Sequence, residues 1–525
     1  MSKFNIFRAR PAGTSPVATA PAPSGRTYEG GDGYARDTKS ELFLLAVSNM
    51  GGEDTFYESS DQRDTRFAQL VHTAALADPE WTARLLKWLR SEANMRTASL
   101  VGAAEFVHAR LAAESDAGVT NRAVVDSVLQ RADEPGELLA YWTGTNGRRV
   151  PKPIKRGIAD AVARLYDERA AVKWDSDARG FKMADVLNLV HPSPRAGWQG
   201  DLFEYVLDRR RDGDAAVPES LRVITARREL MAWPVEERRA LFERPDAADV
   251  LRRVGMTWES VAGWLQGPLT KEVWEALAPS MGYMALLRNL RNFDQAGMSD
   301  EVAAQVAARL ADPAQVARSR QFPFRFLSAY EAAPSLRWGH ALDQALQASL
   351  GNLPALPGRS LILIDTSASM THTTISAKSK VTPAKAAAVF GVALGAKGER
   401  VDVHGFADGT FRHDIAPGAS VIRTVDRFLK RIGEVGHGTD IAGALRRTYR
   451  GHDRVFIISD MQTQGRGVCN AVPRHVPIYG FNLAGYQKAA YATGKANRHE
   501  FGGLTDATFR LIPLLEAGQN ADWPF

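Results

Sequence analysis

Three oxygen-bearing side chains stand at alternate positions where a short apolar run ends. The stretch "LILIDTSASM" covers 361–370 and contains Asp365, Ser367 and Ser369 in the order Asp-x-Ser-x-Ser. Farther along the chain, Thr439 lies in "VGHGTD" and Asp460 ends "RVFIISD". Carboxylate and hydroxyl oxygens, together with water, are the ligands that Mg²⁺ prefers in proteins. These five side chains therefore predict a site for Mg²⁺ or another divalent cation, provided that the fold brings the three loops together.

The elements around these loops predict a fold that would do so. Apolar runs typical of buried strands alternate with helical patterns after residue 356. Strands are predicted at 360–365, 401–406, 454–459 and 476–481, with helices near 383–398, 420–431 and 440–449. This alternation is typical of a doubly wound α/β domain with a mostly parallel sheet. Ligand sites in such sheets lie outside the carboxyl ends of the strands, where Asp365 and Asp460 both stand.

The residues near these loops favour binding over hydrolysis. A metal-dependent hydrolase needs a general base beside the ion or a second metal ion. His437 is the candidate base beside the second loop, but its position is more typical of an ordinary loop residue, as are those of His372 and His404. Cys469 has no neighbouring histidine to activate it as a nucleophile. No catalytic residue is predicted.

The chain ahead of this domain is helical in pattern. Within "DPEWTARLLKWLR", Trp81, Leu85, Trp88 and Leu89 recur at the spacing of one helix face. Breaks that suit helix ends recur at 77–79, 133–135, 244–245, 267–268 and 312–313. Many short helices that cannot each bury a face alone are typical of a HEAT-like repeat solenoid. We expect three segments: a Pro/Ala/Ser-rich disordered arm at 1–30, a helical-repeat domain at 31–355 and the α/β domain at 356–525.

Composition limits the class of protein. The 525 residues include one cysteine, which excludes an internal disulfide and favours a reducing, cytoplasmic setting. Apolar runs are far shorter than the roughly 20 residues that cross a bilayer, and the N-terminus has no secretory pattern. The net charge of +6 divides into +7 for 359–525, from 21 Lys/Arg and 14 Asp/Glu, and −1 for 1–358. A nucleic-acid site would therefore have to be a local basic face.

The metal-site residues and several helical blocks resemble known families. The set Asp365, Ser367, Ser369, Thr439 and Asp460 resembles the metal-ion-dependent adhesion site (MIDAS) of von Willebrand factor A domains. The helical part resembles the TROVE module of the Ro autoantigen family. The blocks that carry this second resemblance are "ELFLLAVSNMGGEDTFYESSD" (41–61), "GIADAVARLYDE" (157–168), "FKMADVLNLVHPSP" (181–194), "MGYMALLRNLRNF" (281–293), "FPFRFLSAYEAA" (322–333) and "LRWGHALDQAL" (336–346).

The resemblance implies a function in non-coding RNA quality control. Ro proteins are non-enzymatic, ring-shaped RNA-binding proteins in which helical repeats and the A-type domain close the ring. The outer basic surface holds Y RNA, and the central hole takes single-stranded 3′ ends of misfolded RNA. In bacteria, Y RNA can tether the Ro-like protein to the exoribonuclease polynucleotide phosphorylase. The resemblance thus implies a cytoplasmic, monomeric ring that binds RNA.

One segment is rich enough in basic residues to contact RNA. Between 146 and 182 there are ten Lys/Arg and five acids. Arginine can hold a phosphate through two hydrogen bonds, and lysine through its charge. The alternative is that these basic residues form a solvated helix face without a ligand. The candidate RNA-binding residues are Arg148, Arg149, Lys152, Lys155, Arg156, Lys173, Arg179, Lys182 and His191.

The neighbourhood of His191 departs from the family pattern. His191 matches the family histidine associated with Y RNA binding, but the family also has basic residues about thirteen and seventeen positions earlier. This chain has Ala178 and Trp174 there, with Arg179 and Lys173 one residue away. Either a shifted turn restores the contacts or the chain holds Y RNA differently.

Two other functional classes remain open from the sequence. The chain could be a protein-interaction scaffold in which the A-type domain binds a partner's acidic side chain through Mg²⁺. The −1 charge of 1–358 favours this scaffold over an RNA-binding ring. A metal-dependent nuclease or phosphatase is disfavoured by the missing base and the single pair of carboxylates.

Overall fold

A computed structural model describes residues 13–48, 53–175, 180–351, 356–375, 379–416, 418–503 and 511–525. Up to residue 351 the described chain is helical apart from a short N-terminal hairpin. Its α-helices are α1 (Thr38–Ser48), α2 (Ser60–Ala77), α3 (Pro79–Ser91), α4 (Arg96–Ala112), α5 (Asn121–Val128), α6 (Glu134–Asn146), α7 (Lys152–Leu165), α8 (Glu168–Trp174), α9 (Met183–Val190), α10 (Gly197–Arg211), α11 (Arg222–Met231), α12 (Ala247–Arg253), α13 (Trp258–Leu265), α14 (Lys271–Leu277), α15 (Tyr283–Gln295), α16 (Asp300–Ala311), α17 (Pro313–Ser319), α18 (Phe324–Ala332) and α19 (Leu336–Ser349). Two 3₁₀ turns, Arg238–Glu243 and Ala278–Ser280, interrupt the series.

Helix boundaries follow the breaks seen in the sequence. Helix α2 ends at Ala77 and α3 begins at Pro79, where the Asp78 carboxylate accepts a hydrogen bond from the Trp81 backbone N–H at 3.0 Å. Helix α17 likewise begins at Pro313. Proline suits the first turn of a helix because its missing N–H would have no partner there. Trp81 of α3 and Trp264 of α13 are buried, each 3 % exposed or less. No described helix is long and apolar enough to cross a membrane.

A six-stranded sheet forms the α/β part. Its strands are β3 (Leu356–Asp365), β4 (Gly398–Phe406), β5 (Thr410–Arg412), β6 (Arg454–Ser459), β7 (Ile478–Asn482) and β9 (Arg498–Gly502), in the order β5-β4-β3-β6-β7-β9. Only β5 runs antiparallel to its neighbour among these described strands. The helices are α20 (Ala368–Thr371), α21 (Pro383–Lys397), α22 (Val421–Leu429), α23 (Ile441–Thr448) and α24 (Leu511–Glu516), and Val468–Asn470 forms a 3₁₀ turn. The predicted α/β architecture is present, with one further strand at each edge.

The central strand is held by close packing on both faces. Leu361 and Leu363 join a buried cluster with Ile441 and Leu445 of α23. On the other face, a Cβ at Gly391 of α21 would lie 2.4 Å from a methyl carbon of Ile364. A larger residue there would push α21 away from the sheet. This packing positions β3, and with it Asp365 at the end of the strand.

The N-terminal segment corrects one expectation from the sequence. Residues 13–30 were expected in a disordered arm, but the structure orders them, while 1–12 lie outside the described residues. Strands β1 (Gly25–Arg26) and β2 (Asp32–Ala35) form a hairpin, and β2 pairs with β8 (Lys488–Ala489). The Arg36 guanidinium forms a buried ion pair with Glu500 at 2.6 Å. Backbone pairing with residues some 450 positions away, rather than local hydrophobicity, orders this segment.

The described chain packs as two compact units. One contains the sheet and takes in the chain up to Ala74, Arg320–Ser328 and Asp343–Phe525; the other contains Ala75–Ser319 and Ala329–Leu342. The segment boundaries expected at 30 and 355 are therefore not those along which the chain packs. Helix α1 explains part of the difference, because a Cβ at Gly502 of β9 would lie 2.4 Å from a methyl carbon of Val47. The first helix of the expected repeat domain thus packs on the sheet.

We predict that the Arg36–Glu500 pair is needed for the stability of the sheet unit. Arg36→Ala leaves the Glu500 carboxylate buried without its counter-charge, so the free energy of unfolding should fall by about 3–5 kcal/mol. Chemical denaturation followed by circular dichroism measures this change. The control Lys430→Ala removes an exposed pair with Asp426 and should change stability by less than about 1 kcal/mol. Equal effects of the two substitutions would contradict the prediction.

Candidate metal centre and candidate nucleic-acid interface

The first metal-site loop is shaped by hydrogen bonds around Asp365. The Ser367 backbone N–H donates to Asp365 Oδ1 at 2.9 Å, and the hydroxyl of Ser459 donates to Oδ2 at 2.5 Å. The hydroxyl oxygens of Ser367 and Ser369 are 3.2 Å apart. Asp365 and Ser367 are each 1 % exposed or less. The loop therefore presents one carboxylate and two hydroxyls in a space closed to bulk water.

The other two loops come to the same edge of the sheet. Ala368 N–H donates to the His437 carbonyl at 2.9 Å, which links the first loop to the second. Gln464 N–H donates to the Thr439 carbonyl at 2.8 Å, which links the second loop to the third. Asp460 ends β6, the immediate parallel neighbour of β3. The structure thus brings together the loops that carry all five predicted residues.

Two buried oxygens in these loops have no hydrogen-bond partner among the residues that the structure describes. They are Thr439 Oγ1 and Asp460 Oδ2, in side chains that are 0 % and 2 % exposed. Buried polar oxygens are normally paired, because an unpaired one loses its water without compensation. A divalent cation bound by oxygen ligands would satisfy both. Among the described residues no cluster of three His, Cys, Asp or Glu forms a metal site, so a cation here depends on the Ser and Thr hydroxyls.

Burial shifts both carboxyl groups toward the neutral form. The pKa of Asp365 is raised to about 6, chiefly by loss of water. The pKa of Asp460 is raised to about 7, first by burial and then by the charge of Asp365. No Lys or Arg approaches these carboxylates closely enough to be among the main influences on either pKa. Among the described residues neither carboxylate has an ion pair with a Lys or Arg, which favours a cation as the missing counter-charge.

Several residues beside the metal loops were not predicted from the sequence. The Tyr57 hydroxyl donates to Glu29 Oε1 and interacts with the Ser369 side chain, and burial raises the pKa of Tyr57 so that it stays protonated. Gln464 Nε2 donates to Glu29 Oε2 at 3.2 Å. The charge of Glu29 also raises the pKa of Asp365 and Asp460. No motif links residues 29 and 57 to loops three hundred or more positions later.

The histidines considered as general bases do not support hydrolysis. The side chain of His437 is exposed, and its backbone N–H donates to Asp408 at 2.9 Å. The Nδ1 atom of His372 contacts the Ala368 carbonyl at 2.9 Å. His404 lies on strand β4, where burial lowers its pKa. Each is explained by local structure.

The cationic turn, defined as Arg148, Arg149, Lys152, Lys155 and Arg156, is the densest group of candidate RNA-binding residues. Arg148 and Arg149 are exposed on the turn before α7, and the other three lie in its first one and a half turns. Within the described part of the chain none of the five side chains has an ion pair. Helix α7 has no acid in its first turn, so its positive dipole end adds to their charge. An anion such as phosphate would stabilise this arrangement.

The other candidate RNA-binding residues lie on separate elements. The Lys173 ammonium packs over the Trp174 ring at 4.7 Å, and the Arg131 guanidinium lies 4.6 Å from the same ring centre. Lys182 caps α9, and the exposed His191 ends that helix in a left-handed conformation with φ of 49°. Arg179 lies outside the described residues. No described contact joins these residues to the cationic turn.

Several arginines elsewhere in the helical unit are paired with acids. Arg244 pairs with Asp246 at 2.7 Å, and Arg252 pairs with Asp249 at 2.9 Å. Both pairs are exposed to solvent and therefore contribute little to stability. The unpaired cationic turn differs from them in this respect.

Comparison with known proteins confirms the resemblance of the helical part to the TROVE module of Ro proteins. The family model for the TROVE domain matches residues 253–349. The chain is 25% identical over 392 residues to the RNA-binding protein RO60 of Deinococcus radiodurans, which covers 69% of each chain. The crystal structure of the Deinococcus radiodurans RO (RSR) protein matches 92% of this chain and 100% of that one, with a TM-score of 0.61 and 19% identity.

We predict that divalent cations displace protons from this site. Because burial raises the pKa of Asp365 and Asp460, Mn²⁺ affinity should rise at least roughly tenfold between about pH 5.5 and pH 7.5. Calorimetric titration in buffers of different ionisation enthalpy counts the protons released. Asp414→Asn, which alters an exposed carboxylate on another loop, should keep the dependence, and Asp460→Asn should remove most of it. An affinity independent of pH would contradict the prediction.

The same pKa shifts determine the direction in which the stability of the metal-free protein changes with pH. Because the folded pKa values exceed the ordinary value of 3.8, the native protein holds more protons than the unfolded chain. Stability should therefore fall as pH rises between about 4 and 7. Thermal unfolding in a chelator should show this loss in the wild type and a smaller loss in Asp460→Asn. A loss of equal size in both proteins would contradict the assignment.

Residues 253–349 thus match the TROVE domain family, and the chain as a whole is similar in sequence and fold to a bacterial Ro protein.

Proposed function

We propose that this chain is a Ro-like RNA-binding protein of non-coding RNA quality control. The observation that carries the proposal is the cationic turn, which places five basic side chains at one helix start, none of them in an ion pair with another described residue. The matched relative is named an RNA-binding protein, which supports the same class of ligand. Neutralising phosphates with unpaired cations supplies most of the affinity of such proteins for RNA.

The finer parts of the proposal come from the family resemblance. The helical repeats close into a ring that holds a Y-like RNA on its outer basic surface. The central hole takes single-stranded 3′ ends of misfolded RNA, which are recognised by charge and shape more than by base sequence. Polynucleotide phosphorylase is the proposed exoribonuclease partner, tethered through the Y-like RNA. The protein acts as a monomer in the cytoplasm and is not an enzyme.

The metal loops have a proposed role in binding a partner. Asp365, Ser367, Ser369, Thr439 and Asp460 would hold Mg²⁺, as the unpartnered Thr439 and Asp460 oxygens suggest. A bound Mg²⁺ would supply an open coordination position for an oxygen ligand. The second candidate function follows: a scaffold that binds an acidic side chain of a partner protein at this position. The two functions are compatible, because the cationic turn and the metal loops share no residue.

RNA binding through the cationic turn should be strongly salt-dependent. A hairpin RNA with a single-stranded 3′ tail is the probe, and fluorescence anisotropy measures its dissociation constant across salt concentrations. Replacing all five cations with alanine should weaken binding and reduce the slope of log affinity against log salt by up to about 3.5, since each phosphate contact contributes about 0.7 for single strands.

The control variant carries Arg244→Ala and Arg252→Ala, which remove exposed arginines that already have acidic partners. It should bind the probe nearly as the wild type does. Equal loss in the two variants would show a general charge effect and would contradict a specific role for the cationic turn. Wild-type protein that does not bind the probe would contradict the RNA-binding function. Intact probe after incubation with Mg²⁺ is expected, and cleavage would contradict a non-enzymatic role.

A further inference from the structure

The loop that contains Glu29 sits directly against the third metal loop. The Thr27 hydroxyl donates to the Thr463 carbonyl at 2.6 Å, and Gly31 N–H donates to the same carbonyl at 2.9 Å. The Tyr28 N–H donates to Gln462 Oε1 at 2.9 Å. A Cβ at Gly31 would lie 2.3 Å from the Thr463 oxygen, so only glycine permits this approach. The backbone of 27–31 is therefore fixed on the segment that directly follows Asp460.

Glu29 is held at the metal loops from two sides. Its Oε1 accepts a hydrogen bond from the Tyr57 hydroxyl, and its Oε2 accepts one from Gln464 Nε2 at 3.2 Å. Tyr57 also interacts with the Ser369 side chain. Gln464 donates its backbone N–H to the Thr439 carbonyl. Each of the two groups that orient Glu29 therefore also contacts a predicted metal-site residue.

An aromatic cluster keeps Tyr57 in place. The Tyr57 ring stacks on the Tyr28 ring with centres 4.9 Å apart and planes at 2°. The Tyr486 ring meets Tyr57 edge-on at 5.4 Å. Tyr28 precedes Glu29 in the chain, so the stacking couples the position of the hydroxyl donor to that of the carboxylate. The arrangement is built from three distant segments of the same unit.

We propose that Glu29 is an internal carboxylate that covers the open side of the metal site and competes there with the acidic side chain of a partner. This inference rests on the proposed metal site. Glu29 does not form a three-carboxylate ligand cluster with Asp365 and Asp460 in the described structure, so it would act on a bound cation through its charge and not as a direct ligand. Displacing the 27–31 loop would expose the open position. The N-terminal segment thereby controls access of a protein partner.

Binding of Mn²⁺ and acetate by the full-length protein tests this proposal. Free Mn²⁺ is measured by electron paramagnetic resonance, and water on bound Mn²⁺ by water-proton relaxation. Glu29→Gln keeps the shape of the side chain but removes its charge, so the dissociation constant for Mn²⁺ should rise roughly threefold to tenfold. Acetate should lower the relaxation enhancement in Glu29→Gln much more than in the wild type, because the competing carboxylate has been removed.

Two further variants make the result specific. Asp32→Asn removes the same charge from the same segment at a residue on β2, and it should behave as the wild type. Tyr57→Phe keeps the Glu29 charge but removes the hydroxyl that holds it, so acetate access should increase while Mn²⁺ affinity changes less than in Glu29→Gln. Circular dichroism checks that each variant is folded. If Glu29→Gln does not fold, Tyr57→Phe provides the test.

The outcomes separate the inference from the metal site on which it rests. Wild-type protein that binds no Mn²⁺, or Asp365→Asn that binds it equally well, would overturn the metal site and the inference together. Wild-type binding with Glu29→Gln and Tyr57→Phe both indistinguishable from Asp32→Asn would overturn the inference alone. Weaker Mn²⁺ binding with increased acetate access in Glu29→Gln would support it.

Discussion

The arrangement of the metal loops depends on the parallel pairing of β3 with β6. This pairing ends two neighbouring strands at the same edge of the sheet, so that Asp365 and Asp460 are both buried there. Two carboxylates out of contact with water and with basic side chains are costly unless a proton or a cation neutralises them. The hydroxyls of Ser367, Ser369 and Thr439 are then the remaining oxygen donors within reach. The proposed metal site is thus a consequence of strand register, and the packing of Gly391 against Ile364 maintains that register.

The N-terminal segment gives this edge of the sheet a second layer. It contributes a strand beside β8, a buried arginine that neutralises Glu500, and the loop that holds Glu29 over the third metal loop. Hydrogen bonds and an ion pair also join the segment to residues more than 430 positions away. Changes at the start of the chain are therefore coupled to the metal loops at its other end.

The sequence predicted the parts of the structure that depend on local patterns. Apolar runs located the four inner strands, although β3 begins four residues and β4 three residues earlier than predicted. Pro79 and Pro313 marked helix starts because proline restricts the chain locally. The Asp-x-Ser-x-Ser loop placed Asp365, Ser367 and Ser369 together because they are adjacent in the chain. Parallel sheet topology then placed Asp460 beside them.

What the sequence did not predict depends on long-range pairing. A Pro/Ala/Ser-rich segment gives no local sign that it will pair with β8, so residues 13–30 were expected to be disordered. Glu29 and Tyr57 carry no motif, and only the folded chain brings them to Ser369 and Gln464. The departure at Trp174 has a structural counterpart, since Arg131 and Lys173 both pack against its ring.

Sequencing of RNA crosslinked to the tagged protein in its native cell tests directly whether the chain binds RNA there. The sample is compared with a variant in which Arg148, Arg149, Lys152, Lys155 and Arg156 are reversed in charge. If the chain is a Ro-like RNA-binding protein, the wild-type sample should contain one dominant small structured RNA together with many 3′ ends. Both should be depleted in the variant. The same background of RNA in both samples would contradict it.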